Sequence, residues 1–297
     1  MTNPRPLSQH RRTMLALALL SALLPFISGC TNLQAVRDFA KTSAATADYR
    51  QIVTDYVTSP DRQKRYQPAR SAPQLEASAK VRAEQKPKIE AAQTILVEYM
   101  TALGDLAADD LPKVDSQVDA LGKALEKAKF VGDGDAAIGK ETATAAGTIA
   151  KILTRAVLDH WRQKQTSRIV READDSIQTV TAGLREIVLK DFGASLDTES
   201  ETVRKYFEAP IAAAKSGGDT DAVPPLARIL WLEHSDEIKA RRAKLTAYAD
   251  VLAKIGKGHA DLNENVDRLR DKALKERLRG YTKDLQALYN AIVIIAK

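Results

Sequence analysis

Apolar residues return along this chain at alternating intervals of three and four, and that interval admits one kind of regular structure. Ile89, Ala92, Leu96, Tyr99, Leu103 and Leu106 follow one another in this way, as do Leu111, Val114, Val118, Leu121, Leu125 and Ala128. Leu278, Tyr281, Leu285, Leu288, Ile292 and Ile295 repeat the pattern near the end. The interval lines up side chains on one face of an α-helix, whereas a strand needs alternation by two. A helix cannot bury such a stripe alone, so each must pack on another. The expected fold is all-α: an elongated helical bundle of six to eight long, amphipathic and locally coiled-coil-like helices. Aromatic residues make up only 5% of the 297 positions, which fits helices better than a β-sandwich.

Breaks between stripes supply the remaining organisation. One helix is expected over 31–57, followed by a turn at Thr58-Ser59-Pro60-Asp61. Residues 62–73 hold Arg62, Lys64, Arg65 and Arg70 beside Tyr66, which reads as a solvated linker or a basic surface. The helix from Gln74 to about Ala108 contains Pro87, where it kinks or restarts. Gly132-Asp133-Gly134-Asp135 breaks the chain, and Gly147 suggests a close helix crossing. The apolar periodicity from Ile149 then runs as far as Val188, with a bend expected near 163–167. Phe192-Gly193 should end that run, and Thr198 with Glu201 has the spacing of a capping box that opens a new helix. Gly217 to Pro225 is a second boundary, and Gly256-Lys257-Gly258 is expected to break or bend the helix after it. The domain is thus divisible near 132–135 and 216–225.

The first residues carry a different signal. Met1 to Thr13 holds Arg5, Arg11 and Arg12 with no acidic residue, and Met14 to Ile27 is almost unbroken apolar chain. That run falls short of the roughly 20 residues a membrane-spanning helix needs, and it ends in small residues, as a secretory signal does. Ile27-Ser28-Gly29-Cys30 resembles the lipobox of bacterial lipoproteins. The resemblance implies cleavage after residue 29, acylation of Cys30 and a mature domain of residues 30–297 facing the periplasm. Thr31, standing where some lipoproteins carry an inner-membrane-retention Asp, implies the outer membrane. Cys30 is the single cysteine, so its acylation leaves none for a disulfide. Losing the three arginines of residues 1–29 lowers the formal charge from +6 to +3. Much of the electrostatic case for nucleic acid leaves with them, and no nucleic-acid partner is expected.

No catalytic constellation stands out. His160, His234 and His259 are widely spaced and lack zinc-ligand spacing, so neither a metal nor a cofactor beyond the covalent lipid is expected. Glu233-His234-Ser235-Asp236 offers acid, base and hydroxyl together, but adjacent residues on a helix diverge while a triad must converge. Glycines 132, 134, 256 and 258 lack the remainder of a phosphate loop. The clearest binding candidate is the run Arg268, Arg270, Lys272, Lys275, Arg277, Arg279 and Lys283, set against Asp271 and Glu276. It suits an anionic lipid, an acidic glycan or an acidic protein, or is simply the solvated back of a helix.

These readings converge on a non-enzymatic, lipid-anchored envelope protein that binds a periplasmic or envelope protein or takes part in envelope assembly. The alternatives are a periplasmic toxin-immunity lipoprotein, a protein binding anionic lipid or cell wall, and a helical envelope enzyme.

Overall fold

Every regular element among the described residues is helical, and the reason is the periodicity of the sequence. The computed structural model describes residues 33–107, 138–158, 166–216 and 223–295. The export signal, Cys30, the stripe over 111–128, the Gly132–Asp135 break, His160 and Trp161 lie outside them. The longer helices are α1 (Gln34–Ala47), α4 (Ala72–Leu106), α5 (Lys140–Leu158), α6 (Thr166–Ile187), α7 (Gly193–Ser216), α8 (Val223–Glu264) and α9 (Lys272–Ile295). Two short ones, α2 (Gln51–Val57) and α3 (Ser59–Lys64), follow α1. Together they form an elongated bundle of long, bent helices.

The 42-residue α8 is the spine. At about 1.5 Å per residue it spans roughly 60 Å. The chain from α1 to α3 runs antiparallel along it: Phe39 lies against Gly258, Tyr248 donates to the Ala47 carbonyl at 2.9 Å, and Tyr66 meets His234 edge-on. The α6 and α7 helices run antiparallel to it as well, Ser167 donating to the Val266 carbonyl at one end and Phe207 stacking on His234 toward the other. Helix α9 returns alongside the second half of α8 only, through Arg277 with Asp261 and Lys254 with Asp284. The bundle therefore has two unlike ends. Where α8 finishes, α1 and α9 begin; this is the lower end. Where α7 finishes and α8 begins is the tip.

Burial follows the stripes. Ile89, Ala92, Leu96, Tyr99, Leu103 and Leu106 are all 4% exposed or less and belong to one large core with Phe39, Ile149, Ile177, Leu184, Leu252 and Leu285. A separate small cluster at the tip joins Val203, Phe207, Ala227 and Ile238, with Tyr66, Leu230 and Trp231 packed on it. Burial of one such aliphatic or aromatic side chain contributes about 1.5–3 kcal/mol, so the large core carries most of the stability.

Several local expectations are corrected. The first helix is interrupted at Asp48, Tyr49 and Arg50, so the described part of that stretch is two helices, Gln34–Ala47 and Gln51–Val57. The expected turn at Thr58–Asp61 is helical from Ser59, because Pro60 sits in the first turn, where no amide donor is needed. Helix α4 does not restart at Pro87 but continues through it. The run does not end at Phe192-Gly193: Val188–Phe192 is a π-turn that joins α6 directly to α7. Thr198 is consequently no cap, and its hydroxyl donates to the Ala194 carbonyl one turn back at 3.0 Å.

Glycine gave the largest misreading. Helix α8 passes unbroken through Gly256 and Gly258. A Cβ at Gly258 would lie 2.3 Å from Cζ of Phe39, and one at Gly256 would lie 2.9 Å from the Thr181 hydroxyl. These glycines bring α1 and α6 close rather than stopping a helix. The reverse holds at Gly147, where a Cβ would meet nothing within 4 Å.

Candidate functional site

Three polar or apolar arrangements compete as the working part of the molecule, and solvent access separates them. The first is a buried relay in the large core. The Tyr99 hydroxyl lies 2.6 Å from His259 Nε2, and His259 Nδ1 lies 2.7 Å from Asp174 Oδ1. With the proton on Nδ1, the tyrosine donates to the ring and the ring donates to the carboxylate. Gln178 and Asn263 complete the carboxylate's shell at 3.1 and 3.0 Å. The hydrogen bond from His259 holds the Asp174 carboxyl below its usual range, against the opposing effect of burial. Burial, reinforced by the Asp174 charge, pushes the Tyr99 hydroxyl far up. Acid, imidazole and hydroxyl stand in the order of a nucleophilic triad. Tyr99 and His259 are both 0% exposed, so the hydroxyl is closed to solvent in this structure. The relay ties α4, α6 and α8 together.

The second arrangement sits where the large core gives way to the tip. Glu199 of α7 is 2% exposed and accepts from Arg62 Nε at 2.7 Å and Nη2 at 2.8 Å, from Arg241 at 3.3 Å and from the Ser59 hydroxyl at 3.2 Å. Ser195 donates to Ser59 and accepts from Arg82, whose guanidinium lies 4.4 Å over the Tyr56 ring. Phe192, from the π-turn, stacks on Tyr56 with ring centroids 4.1 Å apart. The adjoining cavity holds about 20 Å³, room for roughly one water. Arg62 is thus not part of a solvated linker or a free basic surface, because a buried carboxylate from α7 claims it. Both carboxylate oxygens are satisfied, and the node clamps α3 to α7 and α8.

The third is the tip itself. The first turns of α8 are apolar nearly all round: Leu226, Ile229 and Leu232 are 56%, 61% and 44% exposed, while Ala227 on another side is buried against α7. A helix apolar on every side is normally covered on every side. Beside it, Phe207, Ile211, Ala212 and Trp231 line an open groove of about 300 Å³, rimmed by Arg204 and Glu208. Exposed Tyr206 extends the apolar surface and meets Tyr66 edge-on.

The residues expected from sequence fall as follows. His234 is held between Tyr66 and Phe207 with Glu237 3.8 Å away, and Asp236 pairs with Lys239, so Glu233-His234-Ser235-Asp236 does not converge. Arg268 lies in a 3-10 turn before α9, while Arg270 and Lys272 are exposed and make no ion pair among the described residues. Lys275 is half-buried, Arg277 pairs with Asp261 and Arg279 with Glu276, and Lys283 is exposed one turn further on. Asp271 between them caps α9 by accepting the Leu274 amide at 3.0 Å, which lowers its carboxyl pKa. The run therefore gathers at the lower end, the end at which Leu33 enters α1. Among the described residues no group of three or more His, Cys, Asp and Glu is placed to hold a metal ion, and no helix is long and apolar enough to cross a membrane.

The relay and the Glu199 node escaped sequence reasoning because their partners are far apart: 160 residues between Tyr99 and His259, and 137 between Arg62 and Glu199. The exposed tip had a visible signal in the apolar run from Leu226 to Leu232, interrupted by Arg228 alone. No protein-family model, no curated protein and no solved structure matches the chain.

Proposed function

We propose that this chain is a non-enzymatic envelope lipoprotein, held through acylated Cys30 at the periplasmic face of the outer membrane, whose helical rod binds protein with its tip. The observation that carries the binding role is the exposed apolar start of α8 with the groove beside it. It stands at the opposite end of the rod from Leu33, three residues beyond Cys30. A rod anchored at its lower end would carry the tip roughly 60 Å from the lipid. The sealed relay and the saturated Glu199 node support a structural role for the polar interior. Palmitate labelling together with in-cell crosslinking of the native, Cys30→Ala and Ile229→Lys forms tests this. The native form should label, fractionate with membrane and capture one dominant protein. Cys30→Ala should lose the label and Ile229→Lys the capture. Labelling that survives Cys30→Ala, or capture that survives Ile229→Lys, refutes the corresponding half.

A second reading is favoured by one specific observation. The basic run from Arg268 shares the lower end with the start of α1, where an anchored rod would meet phosphate headgroups. Each basic residue near an anionic surface contributes about 1 kcal/mol. Reversing Arg270 and Lys272, which make no ion pair among the described residues, should weaken binding of the unlipidated body to anionic vesicles at least tenfold at low salt. Unchanged binding sinks this reading.

A further inference from the structure

We infer that the exposed face at the start of α8 is occupied by the same face of a second copy, the two helices lying side by side and parallel. The inference deepens the proposed role of the tip and rests on it. Turning roughly 100° per residue, Ile229 and Leu232 lie on the same side of α8 as Lys254 and Asp261. In the lower half α9 covers that side, through Asp284 on Lys254 and through Arg277 and Tyr281 on Asp261. No described helix continues the cover upward. Between that cover and the tip the same side of α8 carries the exposed ion pair of Asp236 and Lys239, so its uncovered apolar part is confined to Ile229 and Leu232, with exposed Leu226 at its edge.

Charge decides what fits it. Ile229 and Leu232 take the a and d positions of a heptad, which puts Arg228 at g and Glu233 at e, on opposite flanks of the seam. Both are exposed, and neither makes an ion pair among the described residues. In a parallel pair, position g of one helix faces the e residue five places on in the other, so Arg228 of each copy meets Glu233 of its neighbour. An antiparallel pair brings each flank against itself and sets the Arg228 flank of one copy against the Arg228 flank of the other. The parallel arrangement, which sets Arg228 against Glu233, suits copies tethered to one membrane by the same end. The seam is short, with two apolar residues from each copy. Pairing therefore draws on the high local concentration that shared anchorage gives, and the freed body in dilute solution should be monomeric.

The test uses the full lipidated chain in its own envelope with Leu232→Cys added; the parent chain, whose only cysteine is Cys30, is the control. Parallel pairing brings the two introduced thiols together at the seam, giving a disulfide dimer on a non-reducing gel. Arg228→Glu or Glu233→Arg alone should reduce that dimer roughly tenfold by turning two attractions into repulsions, and the double reversal should restore it. Both positions are exposed, so the circular dichroism of the variants should match the parent. Charge reversals without effect, or without mutual rescue, overturn the pairing. A photo-crosslinker at Ile229 separates self-pairing from the binding of another protein. Crosslinks solely to other proteins overturn self-pairing and leave the tip a binding surface; no protein crosslink of any kind overturns both.

Discussion

Replacing Gly258 with alanine sets two effects of opposite sign against each other, and the structure says which one wins. Alanine in a helix interior is favoured over glycine by about 1 kcal/mol. At Gly258, however, the new methyl would lie 2.3 Å from Phe39 Cζ and 2.4 Å from Cε2. Carbon atoms pack at about 3.5–4.0 Å, so the overlap exceeds an ångström at two atoms. The Phe39 ring is 0% exposed and leans on Tyr281 with centroids 6.3 Å apart, so it has no free space to swing into. Overpacking of this kind costs about 1–3 kcal/mol, and an immobile ring puts the cost at or above the top of that range. The expected net loss is about 2 kcal/mol, seen as a lower urea midpoint at unchanged slope, or as a melting temperature reduced by roughly 4–8 °C. Gly280 on α9 is the control, since a Cβ there meets nothing within 4 Å. Gly280→Ala should stabilise by about 0.4–1 kcal/mol. Phe39→Leu in the Gly258→Ala background should recover at least about 1 kcal/mol relative to additivity. A Gly258→Ala protein as stable as Gly280→Ala, or a strictly additive double mutant, would refute the close-approach argument.

Two further outcomes follow from the polar interior. Glu199→Ala leaves Arg62 without a carboxylate and Arg241 with Glu237 alone; because both guanidinium groups retain some solvent contact, at 18% and 21% exposure, the loss should be about 2–4 kcal/mol by urea unfolding rather than the full buried-ion value. Arg241→Ala should cost clearly less, since Arg62 keeps both its bonds to the carboxylate. At Asp174 the folded pKa lies below the unfolded one, so the carboxylate stabilises the fold above about pH 4 and that contribution is lost as pH falls through the folded value. The stability gap between the parent and Asp174→Asn should therefore be constant near neutrality and narrow below about pH 4; a gap that widens on acidification contradicts the sign.

What the sequence disclosed was whatever depends on near neighbours. The stripe from Ile89 to Leu106 could be read without a partner because a helix face repeats every few residues, and each of its side chains is buried. Local signals failed wherever one signal serves two physical situations. Glycine weakens a helix and also lets another helix approach, and only Phe39, more than 200 residues earlier, decides which applies at Gly258. Thr198 and Glu201 spell a cap only if a helix begins there, and the π-turn means that none does. The basic cluster around Arg62 looked solvated because its carboxylate comes from α7. Of the tip, the apolar content of α8 was legible; that no described helix covers one side of it was not, because α9 lies along the second half of α8 only.

The π-turn also sets where this chain can change length. From Thr166 to Ser216 the backbone stays helical, yet the buried positions below the turn, Ile177, Val180, Leu184 and Val188, extrapolate to places one residue short of those above it, Phe192, Leu196, Val203 and Phe207. The turn carries the surplus residue, with Leu189 37% exposed at its outer side. Deleting Leu189 would let the ladder close as ordinary α-helix and bring the two stripes into one phase. A deletion elsewhere between Thr166 and Ser216 would instead rotate one half of the rod's lining by roughly 100° against its neighbours. Loss of a residue in this span is therefore best tolerated at Val188–Phe192.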